Sequence, residues 1–315
     1  MDTTFPFLGL TIHAYGLCAA VAALIVLAGM SRSLSAKTAG LFTSLGIVLG
    51  ILGARLLYCV CNLSTFTETF ENPWLMLRFF DGGLSMPGLI AGLLAAAAIT
   101  AKAENTSFAR LMDVLALPLG LAIAALRFGE QFTDLGVGKA VTEGFATAHF
   151  PWLFQVSRMG VAMEYRLHVW AYEAIAAVIL FAATLLARRS LKKREGHTAL
   201  FFFALYGSTQ ILLESMRDDG HMLLIFLRVG QLGAALMPII ACGILAKRVC
   251  LRRKIVAWLT VLLCTIGVVL LEFSLDGRLT IGQPTLLRDY SLMALICAVL
   301  FANVCSLLFT RGEKA

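Results

Sequence analysis

Nine times along this chain an apolar run recurs that is long enough to cross the ~30 Å hydrocarbon core of a bilayer. The runs are Ile12–Met30, Thr38–Cys61, Leu84–Ala101, Phe108–Phe128, Val169–Ala187, Thr198–Ser215, Phe226–Ala246, Ile255–Phe273 and Tyr290–Thr310. Backbone in lipid must satisfy its own hydrogen bonds, so the reading is an all-α polytopic membrane protein of about nine transmembrane helices. Composition agrees: of 315 residues, 59% are hydrophobic and 14% charged, with a mean hydropathy of +0.85. The opening MDTTFPFLGLTI carries Asp2 as its only charge and has no basic segment, so the first run is expected to be an uncleaved span.

Basic residues set the orientation. Alternate connections hold Arg32 and Lys37; Lys102 and Arg110; Arg188, Arg189, Lys192, Lys193 and Arg194; Lys247, Arg248, Arg252, Arg253 and Lys254; and Arg311 with Lys314. These are 16 of the 26 Lys and Arg residues, all on one side, which predicts an outside N-terminus and a cytoplasmic C-terminus. The net charge of +7 is thereby spent on inner loops, and no nucleic-acid partner is expected.

The costly polar residues then fall at one depth. Arg127 lies 17 residues past Arg110, and Arg55 lies 17 past Thr38. At a 1.5 Å rise per residue, both sit roughly 25 Å from the cytoplasmic face. Glu214 and Arg217 end the sixth run at a similar depth, while His13 and Tyr15, Gly82–Gly88, Tyr172 and Glu173, and Gly230 with Gln231 enter other runs from outside. Snorkelling anchors would account for any one of them. They do not account for the convergence on one leaflet, since ionisable groups embedded in a membrane are rare and usually functional. In the sixth run Tyr206, Gln210, Glu214 and Arg217 share one helical face. Glu214 and Arg217, three apart, are placed to pair. That face reads either as an internal ion pair that fixes packing or as a wall facing a lipid headgroup, with Arg217 for phosphate and Glu214 as orienter or base.

Other signals exclude function classes. The eight cysteines lie in or beside apolar runs without metal-ligand spacing, and His149, His168, His197 and His221 show none either. P-loop, dinucleotide-binding and Ser-His-Asp patterns are missing, so neither metal nor cofactor is expected. The inner halves of the second, fourth and sixth runs are plainly apolar and no internal repeat is visible, which argues against a transport path. Gly46, Gly50 and Gly53, and Gly88 with Gly92, form small-residue rows that let helices approach closely.

The fragments IHAYG (12–16), GARLLY (53–58), GGLSMPG (82–88) and DVLALPLGLAIAALRFGEQF (113–132) resemble the phosphatidylglycerol–prolipoprotein diacylglyceryl transferase family. YEAIAAVILF (172–181), LYGSTQILLESMRDD (205–219) and VGQL (229–232) continue the likeness in the family's order. It implies a multi-pass protein of the bacterial plasma membrane with a seven-helix core over residues 1–250. Residues 251–315 form an additional two-helix extension beyond it. The implied reaction moves diacylglyceryl from phosphatidylglycerol to the lipobox cysteine of a lipoprotein precursor in the outer leaflet, giving a thioether and glycerol phosphate. By resemblance, Arg127 holds the phosphate. Tyr15 and His13 match polar residues of the first span, and Glu214 with Arg217 match the E-xx-R of the sixth. Arg55, Gln210, Tyr206, Gly82, Gly83, Gly88 and Gly129 are then expected around the headgroup.

The sequence also departs from the family. Pro87, after Met86, stands where the family's GGxSFHGG loop carries histidine. Glu130 replaces the asparagine of GRxGN, and Gln210 replaces an arginine. The proline of R-x-P-D is lost, leaving Arg217-Asp218-Asp219. Glu130, ahead of His13, is therefore expected to take over proton handling for the thiol. The alternative is a catalytically diverged homologue that binds phospholipid or lipoprotein signal peptides.

Overall fold

The computed structural model describes residues 4–7, 10–69, 72–78, 83–159, 162–192, 194–219, 223–224, 227–279 and 286–310. Gly82 and His221, both singled out above, lie outside these residues. Within them, nine helices are long and apolar enough to cross a membrane. They are α1 (Ala14–Ser31), α2 (Ala36–Cys61), α3 (Met86–Ala103), α4 (Phe108–Gly129), α6 (Val169–Leu191), α7 (His197–Met216), α8 (Val229–Leu245), α9 (Leu251–Leu275) and α10 (Leu286–Leu308). Between α4 and α6 the described residues include a short α-helix, α5 (Phe145–His149), and two 3₁₀ turns, Glu130–Phe132 and Pro151–Leu153. The starts follow local chemistry. Ser35 caps α2 by accepting from the Thr38 amide at 3.1 Å, and Ser107 caps α4 through the Arg110 amide.

Packing is set by the small residues. A Cβ at Gly92 would lie 2.0 Å from the Leu49 carbonyl oxygen, and one at Gly88 would lie 2.3 Å from that of Gly53. Only glycine lets α2 and α3 meet backbone to backbone there. Helix α7 is the centre: 61% of its apolar window is buried, against 22% for α9. Phe201, Ala204 and Ile211 of α7 share one buried cluster with Ala234 and Cys242 of α8, Val261 and Cys264 of α9, and Met293, Cys297 and Leu300 of α10. The last two helices are thus packed into the same core as α7. Exposed side chains such as Leu24, Leu56, Leu186 and Leu263 form apolar outer faces that suit lipid rather than water.

The connections hold strand structure that the helix-dominated reading did not anticipate. Strands β1 (Thr4–Phe7) and β2 (Leu10–His13) form a hairpin, and β6 (Leu223–Leu224) pairs with β7 (Leu227–Arg228). Between α4 and α6, β3 (Val137–Val141), β4 (Phe154–Met159) and β5 (Ala162–His168) form an antiparallel sheet in the order β3-β5-β4. An isolated bridge joins Gly138 to Arg217, and the Asp218 amide donates to the Val137 carbonyl at 2.8 Å. The chain leaving α7 is therefore fastened to β3.

Candidate functional site

Helices α4 and α7 end, and α1, α6 and α8 begin, at the same end of the bundle, and charged groups are buried there. The last turn of α4 presents Arg127, and the 3₁₀ turn that follows (Glu130–Phe132) folds Glu130 back onto it. The Arg127 Nη1 donates to Glu130 Oε1 at 2.5 Å and lies 3.3 Å from Glu173 Oε2, near the start of α6. Arg217, in extended backbone just past α7, places its Nη1 2.6 Å from the same Glu173 oxygen and 3.2 Å from Glu130 Oε2. The remaining Glu173 oxygen accepts from Gln210 Nε2 at 2.5 Å. Arg217 also forks onto Asp219, with Nε to Oδ1 at 3.1 Å and Nη2 to Oδ2 at 2.6 Å. Asp219 Oδ2 in turn accepts from the Gly136 amide at 2.5 Å. Gly136 adopts φ +76°, and a Cβ there would crowd both Trp170 and the Glu130 carboxylate.

These groups are enclosed: Arg127, Glu130, Glu173 and Arg217 are each at most 7% exposed. Burying an ion costs several kcal/mol unless paired, so four such residues persist only as a connected set. Burial works against the Arg217 charge, but Glu173, Glu130 and Asp219 outweigh it and raise its pKa. Burial pushes Asp219 upward, yet the Arg217 fork and the Gly136 amide hold it below the ordinary carboxylate range. With all groups ionised, two guanidiniums face three carboxylates, and the half-buried Glu214 is a fourth acid nearby. Among the described residues, Arg127 Nε and Tyr206 Oη are buried without a hydrogen-bond partner, as are Gln131 Nε2 and Ser215 Oγ. Unspent polar atoms beside an ion cluster give it capacity for a polar ligand.

Of the residues expected from sequence, Arg127, Glu130, Gln210 and Arg217 meet in this cluster, with Tyr206 buried along the same α7 face. Tyr15, in the first turn of α1, lies against Gly129, where a Cβ would reach 3.2 Å from its ring. Glu214 does not form the expected pair with Arg217. Its carboxylate lies against Gly230 of α8, while Arg217, being past the helix end, turns toward α4 and α6. His13 is exposed at the start of α1 and makes no cap bond. Arg55 is occupied at the end of α2, donating to the carbonyls of Leu75, Met76 and Gly83 at 2.8, 2.9 and 3.2 Å. Gly88 serves the α2–α3 contact described above. Pro87 opens α3, where a missing amide is harmless, and packs against Gly233 of α8. Two members were noted in the sequence but given no role in the site. Glu173 carried a signal, an acid inside an apolar run. Asp219 did not, because its role depends on the chain turning onto β3.

The family's sequence profile, described as prolipoprotein diacylglyceryl transferase, matches residues 3–247. The chain belongs to this family. A phosphatidylglycerol–prolipoprotein diacylglyceryl transferase of Symbiobacterium thermophilum is 30% identical over 243 residues, covering 75% of this chain and 88% of the relative. Proteins of the same description from Bacillus licheniformis and Streptococcus pyogenes are each 27% identical, over 245 and 248 residues. They cover 76% of this chain and 89% and 92% of their own lengths. Membership makes this diacylglyceryl transferase family member a multi-pass membrane enzyme of the transferase class. The profile includes every residue of the cluster, whereas α9 and α10 lie beyond its end.

Proposed function

We propose that this protein transfers the diacylglyceryl group of phosphatidylglycerol to the lipobox cysteine thiol of a lipoprotein precursor, at the outer leaflet of the bacterial plasma membrane. Family membership supports the reaction class. The observation that supports the site is the buried meeting of Arg127 and Arg217 at one end of the bundle. Residues 1–250 act as the transferase core and 251–315 as an extension.

In this reading the cysteine sulfur attacks the glyceryl carbon that bears the phosphate ester. The sulfur–carbon bond forms, the carbon–oxygen bond breaks, and glycerol phosphate departs with both bonding electrons. The thiol, whose ordinary pKa is ≈ 8.5, gives its proton to a base. Arg127 and Arg217 stabilise the departing phosphate, since their forks are held in place before it arrives. Glu130 is the base: it touches both arginines, as Glu173 does, and it is the one that stands where the family has an amide. Glu173 holds the arginine heads, Gln210 holds Glu173, and Tyr15 with Tyr206 borders the headgroup.

The excess of acid favours a second reading. Phosphate must compete with Glu130 and Glu173 for the same guanidinium hydrogens, and Glu130 stands where the family has a neutral amide. A homologue whose arginines are kept neutralised binds lipid or signal peptide without transfer. Purified protein in vesicles containing phosphatidylglycerol, incubated with a lipobox peptide, separates the two. Transfer adds a diacylglyceryl mass to the cysteine and releases glycerol phosphate, and Arg127→Ala abolishes both. Peptide that stays bound and unmodified supports the second reading.

A further inference from the structure

The last turn of α7 carries Glu214 and leads directly into Arg217, yet it is held mainly from outside the cluster. Arg228, 6% exposed at the start of α8, donates to the carbonyls of Glu214 at 3.1 Å, Ser215 at 3.4 Å and Arg217 at 3.1 Å. Carbonyls at a helix end lack the i+4 amides of the interior, the Glu214 carbonyl accepting instead from the Arg217 amide at 3.3 Å, and a cation is the group the helix dipole favours there. Arg228 is itself drawn back by Asp276, immediately after α9, with Nη2 to Oδ1 at 3.5 Å. Two further links run parallel to it. Gln231 Nε2 donates to the Ile211 carbonyl at 3.2 Å and to Glu272 Oε1 of α9 at 2.5 Å. Tyr290 of α10, 9% exposed, donates from its hydroxyl to the Ser215 carbonyl at 3.3 Å. Asp289 anchors the two helices to each other by accepting from Ser274 Oγ at 3.0 Å. Asp276, Glu272 and Tyr290 all lie beyond residue 247, where the family profile stops.

We propose that α9 and α10 position the site: Asp276 and Glu272, acting through Arg228 and Gln231, and Tyr290 directly, fix the end of α7 and so the reach of Arg217 toward Glu130 and Glu173. The three are positioning residues, and none of them touches substrate. The inference rests on the transferase reading for its kinetic consequence but not for its structural one.

The test uses the full-length protein in phosphatidylglycerol vesicles with a lipobox peptide, and the variants Asp276→Asn, Tyr290→Phe and Asp276→Glu. Misplacing a catalytic group by about 1 Å can cost 100-fold, so a partial shift is expected to lower kcat by about tenfold. KM for the peptide stays unchanged in Asp276→Asn and Tyr290→Phe, and Asp276→Glu restores the rate. Backbone amide exchange over residues 212–219 quickens in the first two variants and not in the third. Wild-type kcat and wild-type exchange in Asp276→Asn would overturn the proposal. So would a loss in which kcat, KM and thermal midpoint all deteriorate together, because that describes general destabilisation. If the wild-type protein transfers nothing, the transferase reading fails, and the exchange measurement still decides whether the extension fixes α7.

Discussion

The two ends of the helical bundle spend their charges differently. At the end holding Asp113, acids meet backbone amides or an exposed lysine. The Asp113 carboxylate accepts from the Gly196 amide at 2.6 Å and the Ala199 amide at 2.8 Å, capping the start of α7. Lys37 pairs with Glu104 at 3.0 Å, but the lysine is 80% exposed. At the end holding Arg127, acids meet guanidiniums in near-complete burial, and the side chains bond one another across three helices. Charge at the first end finishes helices. At the second it forms a centre whose maintenance needs every member, which is the arrangement expected where stability yields to chemistry.

The largest test of this contrast removes one arginine. Arg217→Ala strips Asp219 of its cation and leaves Glu173 and Glu130 to share Arg127 alone. Breaking a buried pair from one side costs about 3–5 kcal/mol, and loss of a phosphate-stabilising donor lowers kcat by roughly 100-fold or more. Transfer assays combined with thermal melts in detergent check both. Lys37→Ala at the opposite end is the matched control, where an exposed pair is worth about 0–1 kcal/mol. Comparable effects at the two ends would erase the distinction.

A second, smaller perturbation asks what Glu130 does. Glu130→Gln keeps shape and removes charge. If Glu130 accepts the thiol proton, kcat falls by about 100-fold with KM for phosphatidylglycerol unchanged. If it only occupies Arg127, the same substitution frees a guanidinium, and KM for phosphatidylglycerol drops while kcat holds or rises. The first outcome is expected. The kcat and the KM for phosphatidylglycerol, measured at saturating peptide, tell the two apart.

How far the sequence carried this picture follows from the range of the interactions. The nine spans were legible because hydropathy is summed over some twenty neighbouring residues, so local errors cancel. Ala36–Cys61 was expected from Thr38 to Cys61, and Phe108–Gly129 to end at Phe128. Arg127, Gln210 and Arg217 were legible because burying polar groups in lipid is costly and their depths coincide. The pairing of Glu214 with Arg217 was not correctly legible. Helical spacing holds only while the helix continues, and α7 stops at Met216. Arg55 was misleading for a related reason, since its depth is that of the cluster but nearby loop carbonyls claim its hydrogens. Asp219 and Arg228 depend on contacts spanning 83 and 11 residues, to Gly136 and Arg217, which no local pattern announces.

At the opposite end the expected effects shrink. Asp113→Ala strips the acceptor from two amides at the start of α7 and is expected to cost about 1 kcal/mol, the usual value of a lost N-terminal cap. Rates of transfer stay near wild type once protein is folded, because nothing in the cluster depends on Asp113. A thermal melt alongside the transfer assay checks it. Loss of activity out of proportion to stability would show that the two ends are coupled through α7.

The smallest effect lies at the edge of the cluster, at Lys139 on β3. Its Nζ is buried and, among the described residues, has no hydrogen-bond partner, with the carboxylate of Asp276 3.9 Å away. Burial, then the charge of Arg228, lowers the lysine's pKa, and Glu272, Asp276 and Asp218 do not fully compensate. The sign follows from linkage. Between the depressed folded pKa and the ordinary value near 10.4, the unfolded chain binds more protons than the folded one. Stability therefore rises as pH climbs through that window, with the penalty fully present below it. Lys139→Met removes the charge and keeps most of the volume, so it is expected to be neutral or slightly stabilising at pH 7 and to flatten the alkaline rise. Thermal midpoints of wild type and variant from pH 7 to about 10.5 read this directly, the upper limit being set by the ordinary lysine pKa. A midpoint that falls at pH 7 in the variant would mean that Lys139 is a paired member of the charged centre, and the boundary drawn here between the cluster and its surroundings would move outward to β3.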